Sequence, residues 1–248
     1  MSGIDLAVIG GSGLYDFPGL TEVEEHAPVT PFGPASDSIR VGRFGGRRVA
    51  FLARHGRRHH LLPHRVNYRA NVWALHHLGA RDMVGINAVG GIRDDMGPRT
   101  VVVPDQIIDY THGRADSFCD VDGAEVRHVD FSEPYAGALR ERLLGAAMRA
   151  DVAVVDGGCY GTTQGPRLET RAEIARMRRD GCDLVGMTGM PEAVLARELG
   201  VAYACLALVA NWAAGCDPEQ APEISVEAIF AHLESARAKV PVILSRLD

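Results

Sequence analysis

The stretch Leu184-Val-Gly-Met-Thr-Gly-Met-Pro-Glu192 passes from an apolar strand pattern into a loop of small residues and then into the start of a helix. Pro191 indicates that start, because the first helical turn does not need the N–H that proline lacks. The Thr188 hydroxyl, free backbone N–H groups and a helix N-terminus together favour an anion. By itself the stretch is better explained as an ordinary α/β turn. Three further loops of the same kind shift the interpretation towards a binding site.

Length and composition predict one domain over residues 1–248. Of the 248 residues, 46% are hydrophobic and 23% are charged, and no break in composition divides the chain. The formal net charge of -6 disfavours nucleic acids and anionic membranes as partners. Five widely spaced cysteines, without a C-x-x-C pair, a leader pattern or a long apolar run, predict a soluble cytoplasmic protein without disulfides.

Strand patterns alternate with helix patterns along the chain. Strands are predicted at 6–9, 38–44, 47–54, 83–88, 100–104, 152–155, 160–163, 184–186 and 203–210. Helices are predicted at 67–78, 134–149, 170–181, 191–199 and 226–244, with Pro241 ending or kinking the last one. A long polar loop is expected at 105–120. This alternation predicts an α/β fold with a mixed, mostly parallel twisted sheet, helices on both faces, and functional residues at strand ends.

Three loops after predicted strands carry glycines. Gly10-Gly-Ser-Gly13 could expose backbone and the Ser12 hydroxyl to a phosphate, whereas the third glycine of a dinucleotide fingerprint is replaced by Asp16. Arg54-His-Gly56 presents a guanidinium, which can hold two oxygens of an oxyanion. Val89-Gly-Gly91 is the third such loop.

Histidines 55, 59, 60 and 64 crowd one basic segment and raise the alternative of a metal hydrolase. Arginines interleave with these histidines, and no Asp, Glu or Cys lies near them in the sequence, so a divalent ion would meet uncompensated positive charge. Oxyanion binding suits the segment better than metal ligation does.

As a set, the motifs resemble those of the trimeric purine nucleoside phosphorylases, and most closely the methylthioadenosine phosphorylase branch. The matching segments are Gly10-Gly-Ser-Gly13, Arg54-His-Gly56, Val66-Asn-Tyr68, Asn87-Ala88, Gln164-Gly-Pro-Arg167 and Met187-Thr188 before Pro191-Glu192. The resemblance spans nearly the whole chain. It implies a phosphorylase/hydrolase-type α/β fold, inorganic phosphate as co-substrate, no metal or other cofactor, and a homotrimer.

The resemblance also implies roles for residues at matching positions. The phosphate ligands would be Ser12, Arg54, His55, Asn87, Ala88 through its backbone, and Thr188. Substrate-binding residues would be Gln164, Leu168, Met187 beneath the ribose, Asn211 and Ala213 at the purine, and Val226 and Ile229 at the 5′ end. His128 would reach into a neighbouring subunit's site. Asn211, Arg54 and His55 would carry catalysis, which needs positioning and electrostatic stabilisation rather than a protein nucleophile.

One departure from the family pattern bears on the substrate. Adenine-specific members resemble Asp-x-Asp where this chain has Asn211-Trp-Ala213. A carboxylate only accepts hydrogen bonds and suits an amino group, whereas a carboxamide can also donate to O6 and N7 of a 6-oxopurine. Apolar residues at the 5′ end favour a methylthio group.

The predicted reaction is therefore the reversible phosphorolysis of methylthioinosine to hypoxanthine and 5-methylthioribose 1-phosphate in purine salvage. The alternatives are phosphorolysis of inosine and guanosine, phosphorolysis of methylthioadenosine, a nucleotide-binding protein without catalysis, and the metal hydrolase.

Overall fold

An eleven-stranded sheet runs through the part of the chain that the structure, a computed structural model, describes: residues 3–219 and 226–248, with only the backbone at position 226. Its strands are β1 (Leu6–Gly10), β2 (Thr21–His26), β3 (Ile39–Phe44), β4 (Arg47–Ala53), β5 (Asp82–Gly91), β6 (Val101–Val103), β7 (Gln106–Asp109), β8 (Val155–Asp156), β9 (Cys159–Thr162), β10 (Leu184–Gly186) and β11 (Ala202–Trp212). The helices are α1 (Tyr68–His77), α2 (Gly137–Arg149), α3 (Arg171–Asp180), α4 (Glu192–Glu198), α5 (Val226–Arg237) and α6 (Lys239–Leu244).

Strand β5 organises the centre of the sheet. It pairs in parallel with β1 and β11 and antiparallel with β10. The β5 and β11 strands are buried along most of their length and read as nearly continuous apolar runs, which is typical of strands covered on both faces. Their register shifts between Val209 and Asn211, and such a bulge re-aims the chain at the end of a strand. The mixed α/β sheet predicted from the sequence is confirmed.

Helices cover both faces of this sheet, as predicted. Alternate residues of β1 face opposite ways, so that Ile9 packs with Leu75 of α1 and Leu195 of α4, whereas Val8 packs on the other face with α2, α5 and α6. These three helices contribute side chains to the hydrophobic core on the Val8 face of the sheet, among them Leu143, Leu233 and Ile243. None of the helices in the described ranges combines the length and apolar character that a membrane span requires.

Local sequence signals set several element boundaries. The Asn67 side chain accepts a hydrogen bond from the Ala70 N–H and caps α1, while Gly79 follows that helix at a φ of 100°. Thr170 and Glu173 form a reciprocal capping box at the start of α3. The predicted hairpin at residues 45–46 joins antiparallel β3 and β4.

The predicted third glycine loop is wrong. Val89, Gly90 and Gly91 belong to β5, which continues to Gly91. A Cβ at Gly91 would lie 1.8 Å from the Met96 carbonyl oxygen. Glycine at this position therefore permits a close approach of two backbone segments rather than a ligand turn.

Five other features differ from the predictions. The long 105–120 segment contains β7, helix α2 begins at Gly137 rather than Pro134, and β8 covers only Val155–Asp156. The exposed, polar β2 was missed, because it lacks an apolar face. The C-terminal helix breaks at Ala238 instead of Pro241, which lies in the first turn of α6, where proline removes no needed hydrogen bond.

Candidate active site

A cavity of about 310 Å³ opens near the carboxyl ends of β1, β4, β10 and β11. Ten of the side chains predicted for the site line it, namely Ser12, Arg54, His55, Ala88, Leu168, Met187, Thr188, Asn211, Ala213 and Ile229. The strand ends therefore converge as the sequence predicted, and the volume suits a small molecule. Among the predicted residues, Asn87, Gln164 and His128 are not part of this lining. The side chain of Val226 lies outside the described part of the chain.

Arg54 and Glu192 form a fully buried ion pair beneath the cavity. Arg54 Nε donates to Glu192 Oε2 at 2.8 Å, Nη2 donates to Oε1 at 2.7 Å, and Tyr203 donates its hydroxyl to Oε1 at 2.7 Å. Burial lowers the pKa of Arg54, but the Glu192 carboxylate more than offsets this and raises it. The Nε–Nη2 edge of the guanidinium thus faces Glu192, while Arg54 still lines the cavity, and its role as a phosphate ligand stays a prediction.

The glycine loop rests directly on this pair. A Cβ at Gly11 would stand 2.5 Å from the Ile86 carbonyl oxygen and 2.9 Å from Arg54 Nη1. Arg54 Nη1 itself donates to the Ile86 carbonyl at 3.0 Å. Glycine at position 11 is therefore required for the backbone to approach the guanidinium, and it brings Ser12 to the floor of the cavity.

His55 is a buried cavity residue whose ring is fixed on one side. Its Nδ1 lies 2.8 Å from the Leu61 carbonyl oxygen, and the ring of His59 stacks on it at a centroid distance of 5.2 Å. Burial, reinforced by the charge of Arg54, lowers the pKa of His55 to about 4. The imidazole is therefore neutral at neutral pH. His59, which the sequence suggested only as a metal ligand, also lines the cavity, and its Nδ1 forms a hydrogen bond with the Tyr15 hydroxyl.

Asn87 lies behind the cavity and supports Thr188 instead of lining the site. Its Nδ2 donates to Thr188 Oγ1 at 2.8 Å, and the Cys205 thiol donates to its Oδ1 at 3.4 Å. Burial raises the pKa of Cys205, which keeps the thiol protonated as a donor. Because Thr188 Oγ1 accepts from Asn87, its own hydrogen is available to a ligand in the cavity.

Glu169 is a cavity residue that the site prediction omitted, although its neighbour Leu168 was predicted to bind substrate. Its Oε1 accepts a hydrogen bond from the Thr163 hydroxyl at 2.6 Å, so Oε2 can serve a ligand. Asn211 lines the same cavity, and its Nδ2 donates to the Trp212 carbonyl at 2.6 Å, which leaves Oδ1 and a second N–H. The sequence contained a signal for Glu169, because this acidic residue directly follows Leu168, which was predicted to bind substrate.

Arg114 explains why the long polar segment matters to the site. Its Nη1 donates to the carbonyls of Met187 and Met190 at 2.8 and 2.6 Å, and its Nη2 donates to those of Thr163 and Gln164 at 3.2 and 3.0 Å. The Gln164 side chain, predicted to bind substrate, instead accepts from Arg114 Nε at 3.1 Å. Arg114 thus ties together two of the loops that line the cavity.

Helix α5 supplies an apolar wall through Ile229, Phe230 and Leu233. Arg237 donates to the Gly13 carbonyl and holds the helix against the glycine loop. His128 is exposed and does not line the cavity of its own chain. Within residues 3–219 and 226–248, no three His, Cys, Asp or Glu side chains form a potential metal site.

The fold and the site define a protein of the phosphorylase class. Residues 5–246 match the Phosphorylase superfamily, and the chain belongs to this family. It is similar to a "Probable S-methyl-5'-thioinosine phosphorylase" of Xanthomonas campestris pv. campestris, with 56% identity over 244 residues that cover 98% of this chain and 97% of the relative. The family resemblance inferred from the motifs is thereby confirmed.

Two further comparisons bear on the site. A "6-oxopurine nucleoside phosphorylase" of Pyrococcus furiosus is 46% identical over 215 residues, which cover 85% of this chain and 80% of the relative. Among solved structures, a methylthioadenosine phosphorylase from Schistosoma mansoni in complex with adenine has a TM-score of 0.92 at 32% identity, covering 98% of this chain and 90% of that one. The relatives that this chain resembles thus include proteins whose names specify different purine bases.

Proposed function

We propose that the chain catalyses the reversible phosphorolysis of S-methyl-5′-thioinosine, which yields hypoxanthine and 5-methylthioribose 1-phosphate in purine salvage. The observation that carries this proposal is the joint presence of Glu169 and Asn211 in one cavity with Ser12 and Thr188. Membership of the phosphorylase family and the similarity to the Xanthomonas protein support it. Inorganic phosphate is the co-substrate, and the reaction needs no metal or other cofactor.

The base preference follows from donors and acceptors. A 6-oxopurine has an N1–H donor beside the O6 acceptor, whereas adenine has an N1 acceptor beside an amino donor. Glu169 Oε2 can accept from N1–H, and the free N–H of Asn211 can donate to O6 or N7. An adenine in this position would leave a buried polar group unpaired, which costs about 1–3 kcal/mol, or roughly ten- to a hundredfold in selectivity.

Phosphate is positioned by the cavity floor. Ser12 and Thr188 offer hydroxyls, and the backbone at Gly11 and Ala88 lines the same region. Phosphate held there attacks C1′ as the purine leaves, and its negative charge stabilises the oxocarbenium-like sugar. The Asn211 carboxamide supports the departing purine by a hydrogen bond.

The 5′ substituent faces the apolar wall of α5. A 5′-hydroxyl buried against Ile229, Phe230 and Leu233 would lose its hydrogen bonds to water, whereas a methylthio group gains contact. The sequence predicts Val226 at the same end of the substrate, but its side chain lies outside the described part of the chain.

A substrate panel with and without phosphate tests the reaction. Methylthioinosine, inosine, guanosine and methylthioadenosine are compared by the release of base, with methylthioinosine expected to be cleaved fastest and only in the presence of phosphate. Faster release of adenine would overturn the base assignment, and faster cleavage of inosine would assign the chain to general 6-oxopurine phosphorolysis. Cleavage to free sugar without phosphate would overturn the reaction class.

A matched pair of variants tests the role of Glu169. Glu169→Gln turns one acceptor oxygen into a donor and should lower kcat/KM for methylthioinosine about tenfold or more while sparing methylthioadenosine. Glu173→Gln makes the same chemical change on α3 outside the cavity and should leave the ratio between the two substrates unaltered. An unchanged ratio in both variants would contradict the assignment.

We also propose that the chain assembles as a homotrimer in which His128 completes a neighbouring site. The family resemblance and the exposure of His128 support this arrangement. Light scattering should give the trimer mass. When His128→Ala and Asn211→Ala chains are co-expressed, mixed trimers should regain activity, because the cavity of the first chain can meet an intact histidine from the second. A fully active monomer would contradict the proposal.

A further inference from the structure

We propose that His55 accepts a hydrogen bond from a P–OH group of the bound phosphate through Nε2, and thereby selects hydrogen phosphate over anions of similar shape that carry no proton. This inference rests on the proposed function, which puts phosphate in the cavity. It assigns to His55 a role in selecting the protonation state of the co-substrate.

The tautomer of His55 follows from its partner. The Leu61 carbonyl can only accept, so the Nδ1 that lies 2.8 Å from it must carry the ring hydrogen. In a neutral imidazole, the other nitrogen then holds a lone pair and no hydrogen. His55 lines the cavity, so the polar atom left to serve a ligand is an acceptor.

The charged and titratable groups around His55 leave its ring neutral. Arg54, the adjacent cation, is paired in bidentate fashion with Glu192. The other titratable groups that face the ring are His59, which stacks on it, and Tyr15, which bonds His59. Burial and the Arg54 charge lower the pKa of His55 to about 4, so the Nε2 lone pair is retained at neutral pH.

The hydroxyl groups at the floor of the cavity can act as donors. Ser12 offers a hydroxyl, and Thr188 can direct its own hydrogen into the cavity because its oxygen already accepts from Asn87. A phosphate in this setting directs its unprotonated oxygens to these donors and its P–OH to His55. At neutral pH inorganic phosphate keeps at least one P–OH, whereas sulfate and monofluorophosphate keep none.

Monofluorophosphate is the sharper probe, because fluorine replaces the hydroxyl of hydrogen phosphate at the same net charge. In the wild-type enzyme at pH 8, its competitive inhibition constant should exceed the phosphate dissociation constant about ten- to a hundredfold, since the Nε2 lone pair is left facing fluorine. In His55→Ala this ratio should fall towards one. Ser12→Ala is the control, since it removes a donor used by both anions and should preserve the ratio.

Nitrogen-15 NMR of the wild-type histidines provides a readout that does not depend on any variant. On addition of phosphate, His55 should show a protonated Nδ1 and an unprotonated, hydrogen-bonded Nε2. An imidazolium or an Nε2–H tautomer in the complex would overturn the inference, and so would equal binding of phosphate and monofluorophosphate by the wild type. Failure of phosphate to support nucleoside cleavage would instead refute the proposed function.

Discussion

At the scale of single residues, Arg54 and Glu192 show a charged pair that is held entirely away from solvent. Two well-formed hydrogen bonds join them, and Tyr203 adds a third contact to the carboxylate. Breaking such a pair leaves one charge without compensation in a medium of low polarity. The stability of the cavity floor thus depends on Glu192, although it is not among the residues that line the cavity.

Replacing Glu192 by Gln should lower the free energy of unfolding by about 3–5 kcal/mol, because the buried guanidinium loses its counter-charge. Urea denaturation monitored by circular dichroism measures the effect. Asp95→Asn removes a carboxylate from an exposed pair with Arg93 and should cost less than about 1 kcal/mol. Equal losses in the two variants would show that burial of the pair has no energetic weight.

In the proposed site, Asn87 acts on phosphate through Thr188, to which it donates a hydrogen bond. Asn87→Ala should raise KM for phosphate about tenfold, since the Thr188 hydroxyl is no longer held as a donor, while KM for the nucleoside changes little at saturating phosphate. Cys205→Ser keeps a donor to Asn87 Oδ1 and serves as the control. Steady-state kinetics with each substrate varied separate the two constants, and a rise confined to the nucleoside would contradict this role.

His55 also links stability to pH. The pKa of His55 is lowered to about 4 in the folded protein, whereas its ordinary value is 6.5. Between these two values the unfolded chain binds a proton at His55 and the folded chain does not. The free energy of unfolding should therefore fall as the pH drops from 6.5 towards 4, by about 3 kcal/mol from this group. His55→Asn should lose this part of the pH dependence. If the difference in the free energy of unfolding between wild type and variant stayed constant from pH 6.5 to pH 4, the assignment would be refuted.

At the scale of secondary-structure elements, the 105–120 segment holds the cavity loops through Arg114. Arg114→Ala should raise KM for the nucleoside about tenfold, because four backbone carbonyls lose a shared donor. Arg176→Ala removes an exposed arginine that stacks over Tyr110 and should leave kinetics near wild type. Steady-state kinetics at saturating phosphate give kcat and KM for the nucleoside in both variants. Equal effects in the two variants would argue against a specific role of Arg114 in holding the cavity loops.

Elements were predictable where local chemistry determines them. The Asn67 cap and the paired glycines of the hairpin act within a few residues, and each specified its boundary. Strand β2 lacked such a signal because its side chains face solvent. Gly91 resembled part of a turn, yet its small size permits a close approach of backbones that only the folded sheet creates.

At the scale of the whole molecule, the site was predictable because parallel strand ends meet at one edge of a sheet. Ser12, Arg54 and Thr188 lie far apart in sequence and converge for that reason. The partners of these residues were not predictable. The pairing of Arg54 with Glu192 spans 138 positions, and the bond from Asn87 to Thr188 spans 101, so each depends on how separate elements pack.

The tether between Arg237 and Gly13 has a consequence for synthesis of the protein. It joins residues 224 positions apart, one from the first glycine turn and the other from the end of α5. A ribosome therefore completes the turn that we propose binds phosphate long before it makes α5, which forms the apolar wall of the cavity. Nucleoside turnover can therefore begin only after residue 237 has been translated and α5 has docked on the turn that contains Gly13.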